Sequence, residues 1–261
     1  MTVIQQPPVN GVAPVFERIV CATGTSDRDA EAVRQAAVLA GRGAIVCFVA
    51  VAPEHSPGQP HPEPHQLEAL VQADVLASRL GVRADPHIVE ASDEVAGMLA
   101  RRAVHDLLVA PAGDAAIRAV ARSPIPVLIA RPAPDGATFP DSILVAVDGS
   151  PQAREAARVG GRLAARHGAC VALVASPEHD APHRRWLDGH VAAVAAETGA
   201  RPIVLDEHAP AVPSILAAAG STGASLIVTG SRPGNPAASV SAQVAREATC
   251  SVLVVRPGAS T

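Results

Sequence analysis

Ser142-Ile143-Leu144-Val145-Ala146-Val147-Asp148-Gly149-Ser150-Pro151 is the stretch on which the fold turns. Its apolar residues run without alternation and are rich in Val, Ile and Leu, as in a parallel strand buried on both faces. An acidic residue, a glycine and a serine then end the run. Serine is a favoured helix N-cap, and proline is preorganised for the first helical position. The sequence therefore predicts a strand, a tight turn and a helix starting at Pro151.

Outward from this stretch the same alternation continues. Strands are predicted near 142–148, 169–175, 201–206, 225–230 and 251–255. Helices are predicted near 151–167, 182–198, 211–222 and 238–248. The second of these carries an apolar line through Leu187, Val191, Val194 and Thr198, and Gly199 stops it. Trp186 falls near its start and is expected to be half-buried.

The pattern then recurs upstream. Arg18-Ile19-Val20-Cys21-Ala22-Thr23-Gly24-Thr25-Ser26 parallels residues 142–150, and Pro53-Glu54-His55 parallels Pro177-Glu178-His179. Leu107-Leu108-Val109 matches Leu226-Ile227-Val228, and Val127 to Pro132 matches Val252 to Pro257. Self-similarity at a near-constant interval marks one domain duplicated in tandem. The boundaries read as a tail over 1–15, a first domain over 16–131, a Pro-rich linker over 132–140, a second domain over 141–257 and a tail over 258–261. Alternating strands and helices imply βαβ units with right-handed crossovers. The fold class is α/β: two tandem doubly wound domains, each a five-stranded parallel sheet flanked by helices.

Composition narrows the function. The 261 residues are 48% hydrophobic with a net charge of −4, which suits a globular chain without a basic field for nucleic acid or anionic lipid. With no Tyr, one Trp and three Phe there is little aromatic surface for stacking bases, so no nucleic-acid partner is expected. The longest apolar run, Ala44 to Ala52, is far short of the roughly 18 residues that cross a bilayer. Met1 to Val15 lacks the basic start and apolar core of a signal peptide. Cys21, Cys47, Cys170 and Cys250 form no C-x-x-C pair and read as buried core thiols in a reducing compartment, so the expected location is the cytoplasm.

In a doubly wound sheet, ligands bind beyond the carboxyl ends of the strands where strand order reverses. Asp148 ends the first strand of the second half and can accept hydrogen bonds. Gly230 ends the fourth, in Thr229-Gly230-Ser231-Arg232-Pro233-Gly234, and opens a small-residue loop to Ser239-Val240-Ser241. Glycine admits close backbone approach to phosphate, and a helix N-terminus favours negative charge. The structural alternative is that Asp148 and Ser150 only shape the turn and that Gly230 only permits positive φ.

Along its whole length, through Ile143 to Ala153, Ser214 to Arg232 and Ser239 to Arg256, the second half resembles the universal stress protein family. The resemblance implies an adenine nucleotide alpha hydrolase-like fold and an adenine nucleotide, ATP or AMP, as ligand. An Asp after the first strand contacts the nucleotide in that family, and a loop of pattern G-x2-G-x9-G-[ST] holds the phosphates. Asp148 matches the Asp, Gly230 the first Gly, and Ser239 the closing hydroxyl residue. The second glycine is displaced to Gly234, Ala238 stands in place of the third, and the loop is several residues short. Pro233 and Pro236 remove two backbone donors. The expected site is Asp148, Ser150, Gly230, Ser231, Gly234, Ser239 and Val240, with weak or monophosphate binding favoured over tight ATP binding. The resemblance also implies that the halves pair as an intramolecular pseudo-dimer through their last strands, with a homodimer beyond it.

The first half departs further. The counterpart of Asp148 falls at Thr23 or Gly24, so no carboxylate is expected there. The loop after its fourth strand, Ala110-Pro111-Ala112-Gly113-Asp114-Ala115, has one glycine and an acid that repels phosphate. It reads as a structural or regulatory partner without a nucleotide site, and Ser26 with Asp29 as a helix cap.

Other constellations carry less. His55, His61 and His65 lie in a Pro-rich stretch, as do His179 and His183 around Asp180, and both read as solvated loops rather than metal sites. Arg154, Arg158, Arg162 and Arg166 form a stripe on one helix, in a chain without lysine, that reads as a solvated face. There is no nucleophile elbow, Walker loop or dinucleotide fingerprint. The expected function is a stress-response binding module without catalysis. A protein-binding scaffold with an unknown partner and no nucleotide, and a slow nucleotide hydrolase, are the alternatives.

Overall fold

A computed structural model describes residues 14–53, 63–91, 93–99, 104–134, 137–175, 183–206, 209–231 and 239–256. The chain divides into two compact units, one Phe16–Pro132 and the other built on Ala133–Thr261.

The first unit holds β1 (Ile19–Ala22), α1 (Asp27–Ala40), β2 (Ile45–Pro53), α2 (Pro64–Arg79), β3 (Arg83–Ala91), α3 (Glu94–Leu99), β4 (Leu107–Pro111), α4 (Asp114–Arg122) and β5 (Val127–Ala130). Its strands lie in the order β3-β2-β1-β4-β5, every described pair parallel. The second unit holds β6 (Ser142–Val147), α5 (Pro151–His167), β7 (Cys170–Ala175), α6 (His183–Thr198), β8 (Ile203–Asp206), α7 (Ala211–Thr222), β9 (Leu226–Gly230), α8 (Val240–Glu247) and β10 (Ser251–Val255). Its order is β8-β7-β6-β9-β10, again parallel throughout.

Chain direction and handedness fix the layers. From β6 the chain winds outward through β7 to β8, then crosses back to β9 on the other side of β6. Right-handed crossovers place α5 and α6 on one face and α7 and α8 on the other. The central strands are buried on both faces: Leu144, Val145, Leu226, Ile227 and Val228 are fully enclosed, as are Leu107, Leu108 and Val109 in the first unit. Burying each such side chain contributes about 1.5–3 kcal/mol, which is why these runs carry no polar alternation.

The helix ends are set by local chemistry. Ser150 caps α5 by accepting the Ala153 N–H, with Pro151 in the first turn, and Gly168 closes it in the left-handed conformation. Ser26 and Asp29 form a reciprocal capping box on α1. Asp114 sits in the first turn of α4, where the helix dipole favours it.

Three expectations are corrected. Cys170 is exposed at the start of β7, not buried, whereas Cys21, Cys47 and Cys250 are buried. His65 lies in the first turn of α2, because Pro64 starts that helix instead of opposing it. On α6 the most enclosed residues are His190 and Val194; Leu187, Val191 and Thr198 are only half-buried. His55, His61, His179 and Asp180 fall outside the described residues. Arg154 and Arg158 are exposed, and Arg158 pairs with Glu155.

Candidate functional site

Strand order reverses between β6 and β9, so the crevice of the second unit lies beyond Val147 and Gly230. Asp148 leaves β6 exposed at this point, and its Oδ1 accepts the Ser150 N–H at 3.0 Å. Its other oxygen takes no hydrogen bond among the described residues. Gly149 has φ +74°, and a Cβ there would stand 2.9 Å from the Trp186 ring. Both conditions demand glycine: the turn needs the left-handed region, and the indole lies directly on the backbone. The single tryptophan therefore forms a wall beside Asp148.

His190 stands behind that wall. Its ring meets Trp186 edge-on at 5.5 Å between centroids. The residue is 2% exposed, and neither ring nitrogen has a hydrogen-bond partner among the described residues. Burial lowers its pKa; the Arg154 charge lowers it further, and Asp148 opposes both. The imidazole is thus held neutral next to an acid, with one donor and one acceptor unspent.

Across the crevice, the structural alternative for Gly230, that it only permits positive φ, is corrected. Its φ is not positive; a Cβ would instead lie 2.4 Å from the Gln152 backbone carbon, so β9 ends hard against the first turn of α5. Ser231 follows, buried, with its N–H given to Val255 O at 3.0 Å and its Oγ accepting from Arg256 Nη1 at 3.0 Å. Arg256 is itself buried, and although burial lowers its pKa a guanidinium stays charged at neutral pH. Ser239 caps α8 by accepting the Ala242 N–H, and Val240, exposed, begins that helix. Gly234 and the rest of 232–238 lie outside the described residues.

Residues 140–256 match the model of the universal stress protein family. This half is a universal stress protein domain. The universal stress protein of Archaeoglobus fulgidus DSM 4304 is 18% identical and matches with TM-score 0.75 over 93% of this chain and 96% of that one. A structure assigned to the same family from Pseudomonas aeruginosa UCBPP-PA14 is 14% identical, with TM-score 0.65 over 93% and 94%. At these identities the likeness is one of fold, and it spans both halves. No curated protein matches the chain.

The corresponding crevice of the first half is not featureless. A pocket of about 500 Å³ opens beyond β1, β2 and β4, lined among others by Thr23, Thr25, Asp29, Gln66, Asp93 and Pro111. The expectation of no carboxylate there is corrected. The shared serine cap makes Gly24 the counterpart of Asp148, and a Cβ on Gly24 would lie 2.8 Å from Asp29 Oδ2. Asp29 Oδ2 accepts the Ser26 N–H at 2.9 Å, as Asp148 does for Ser150 in the universal stress protein domain. Gln66 is 2% exposed, its Oε1 accepts the Glu63 N–H, and its Nε2 has no partner among the described residues. Among the described residues no arginine lines the pocket, though Arg122 pairs with the lining Asp93 at 3.4 Å.

The sequence reading missed Asp29 as a pocket group, His190 and Arg256. A histidine beside the apolar line of α6 was the signal for His190. Arg256, in the Arg-Pro pair that closes each half, carried none, because its burial against Ser231 arises only from strand pairing.

Proposed function

We propose that the protein is a stress-response binding module whose second half takes an adenine nucleotide, a monophosphate in preference to ATP, without a catalytic step. The observation that carries this reading is Asp148: an exposed carboxylate at the strand-order switch, oriented by the Ser150 N–H, with one oxygen left for a ligand. A nucleotide placed there sets its sugar or base against Asp148 and the Trp186–His190 wall. Its phosphate then lies toward Gly230, Ser231 and the N-terminus of α8 at Ser239 and Val240. The buried Arg256 guanidinium behind Ser231 adds a positive charge at that end. The Ser231 N–H is already spent on Val255, which, with Pro233 and Pro236, leaves few donors for a triphosphate. Each N–H bond to a charged phosphate contributes about 1.5–3 kcal/mol, so the missing ones account for a preference for AMP.

Trp186 is the chain's single tryptophan and lies on Gly149, next to Asp148. Its fluorescence is therefore a direct probe. Titration with AMP should change the emission saturably, and Asp148→Ala should abolish the change. An unaltered spectrum at millimolar AMP, in protein that is folded by circular dichroism, would leave the scaffold reading in its place. That second reading is favoured by one observation, the Ser231 N–H closed onto Val255.

A further inference from the structure

Three different metal-ligating side chains converge on the outer strands of the first unit, away from anything the nucleotide reading uses. Cys47 on β2 pairs in register with Asp85 on β3, and Val49 pairs with His87. Register partners in a parallel pair share a face, as do residues two apart on one strand, so Cys47, Asp85 and His87 all project to the same side. Their ligand atoms lie within 4.8 Å of one another. His87 Nε2 and Asp85 Oδ2 are 2.9 Å apart. Cys47 is a buried, reduced thiol, while Asp85 and His87 are half-buried on the edge strand and give access from solvent.

Charged residues on an edge strand discourage pairing with other chains. That explains polarity on β3, but not the convergence of an imidazole and a carboxylate on a buried thiol. We propose that Cys47, Asp85 and His87 form a binding site for a divalent transition metal of the zinc class. Thiolate and imidazole ligands select zinc-like ions over magnesium or calcium, which prefer all-oxygen shells. Tetrahedral zinc with these donors holds its ligand atoms about 3.3–3.6 Å apart, so the thiol must close by up to about 1.2 Å and the 2.9 Å imidazole–carboxylate contact must open by about 0.4 Å. Three protein ligands leave the fourth position to water. Binding is written as Cys47 Sγ–H losing its proton to solvent and the thiolate bonding to the ion, so one proton is released per ion bound.

The test uses the full, tag-free chain stripped with EDTA and cobalt(II) as the spectroscopic probe. One equivalent should bring up a near-ultraviolet thiolate-to-cobalt band that zinc(II) then removes. Cys47→Ser should abolish the band, and Cys170→Ser, at the exposed thiol of β7, should keep it. His87→Gln, on the half-buried edge strand, should weaken cobalt binding at least tenfold in protein whose circular dichroism is unchanged. Calorimetry with zinc(II) in two buffers of different ionisation enthalpy should count one proton released. A missing thiolate band, a band that survives Cys47→Ser or vanishes with Cys170→Ser, or unaltered affinity in His87→Gln overturns the site. If Cys47→Ser does not fold, the His87→Gln affinity decides alone.

Discussion

At the ends of β1 and β6 the chain makes the same turn into a serine-capped helix, but the carboxylate that receives the serine N–H comes from opposite sides. In the second half it is Asp148, on the strand side, and it stands exposed where a ligand can reach it. In the first half it is Asp29, reaching back from the third residue of α1, and Gly24 makes room for it. The far walls differ too. Gly230 ends β9 where Pro111 ends β4; a buried arginine stands behind the first, and a pocket lined by Asp29 and by the Arg122-paired Asp93 lies at the second. Two unit charges at 4 Å interact by about 4 kcal/mol at an effective dielectric of 20, enough for Asp29 to turn phosphate away, while Asp93 is paired with Arg122 at 3.4 Å. A duplicated fold has kept the turn and reversed the electrostatics.

The largest effect expected from breaking this comparison is at Gly230. A methyl group there must displace the α5 backbone, so Gly230→Ala should destabilise the second unit by about 3 kcal/mol, the upper end for overpacking. Pro111→Ala should cost the first unit about 1 kcal/mol or less. Hydrogen exchange, read separately on β6 and β1 amides, distinguishes the two.

Acid should also divide the halves. Burial, then the Arg166 charge, lowers the His167 pKa to about 4 at the end of α5, and α1 contains no histidine. The unfolded chain takes up a proton near pH 6.5, whereas the folded one resists until about 4. Stability is therefore full above pH 6.5 and falls by up to about 3 kcal/mol as the pH drops to 4. Urea midpoints at pH 7 and pH 4.5 should show that loss in the wild type and a smaller one in His167→Gln.

Removing the ligand-facing charge comes next. Asp148→Asn should weaken AMP binding ten- to a hundredfold, the equivalent of about 1.5–3 kcal/mol for a charged hydrogen bond. Asp29→Asn should leave it unchanged. The smallest effect is at the caps: Ser150→Ala and Ser26→Ala should each cost about 1 kcal/mol by thermal unfolding, since each loses its hydroxyl acceptor while the Ser26 backbone N–H keeps its bond to Asp29.

The strands and helices of the second half were legible in the sequence to within about two residues. Continuous Val/Ile/Leu runs, the Ser-Pro start of α5 and the glycine after α6 each act through neighbours in the chain. Asp148, Ser150 and Gly230 were legible as residues at the strand-order switch for the same reason, since each lies at or just past a strand end. What the sequence hid depends on tertiary approach. Asp29 read as a cap because its cap role is local, while its presence in the pocket depends on Gly24. His190 is polar, and only the packing of α6 on Gly149 through Trp186 buries it. Gly230 suggested backbone freedom, whereas the contact with Gln152 shows a demand for space. The Cys47–Asp85–His87 cluster follows from the β2–β3 register, which no local pattern specifies.

The central claim is that only the second crevice accepts an adenine nucleotide, and a calorimetric titration of AMP into the full chain tests it most directly. The account predicts one AMP per chain, lost in Asp148→Ala and unaffected by Asp29→Asn. Two AMP per chain, or a single site that survives Asp148→Ala, would contradict it.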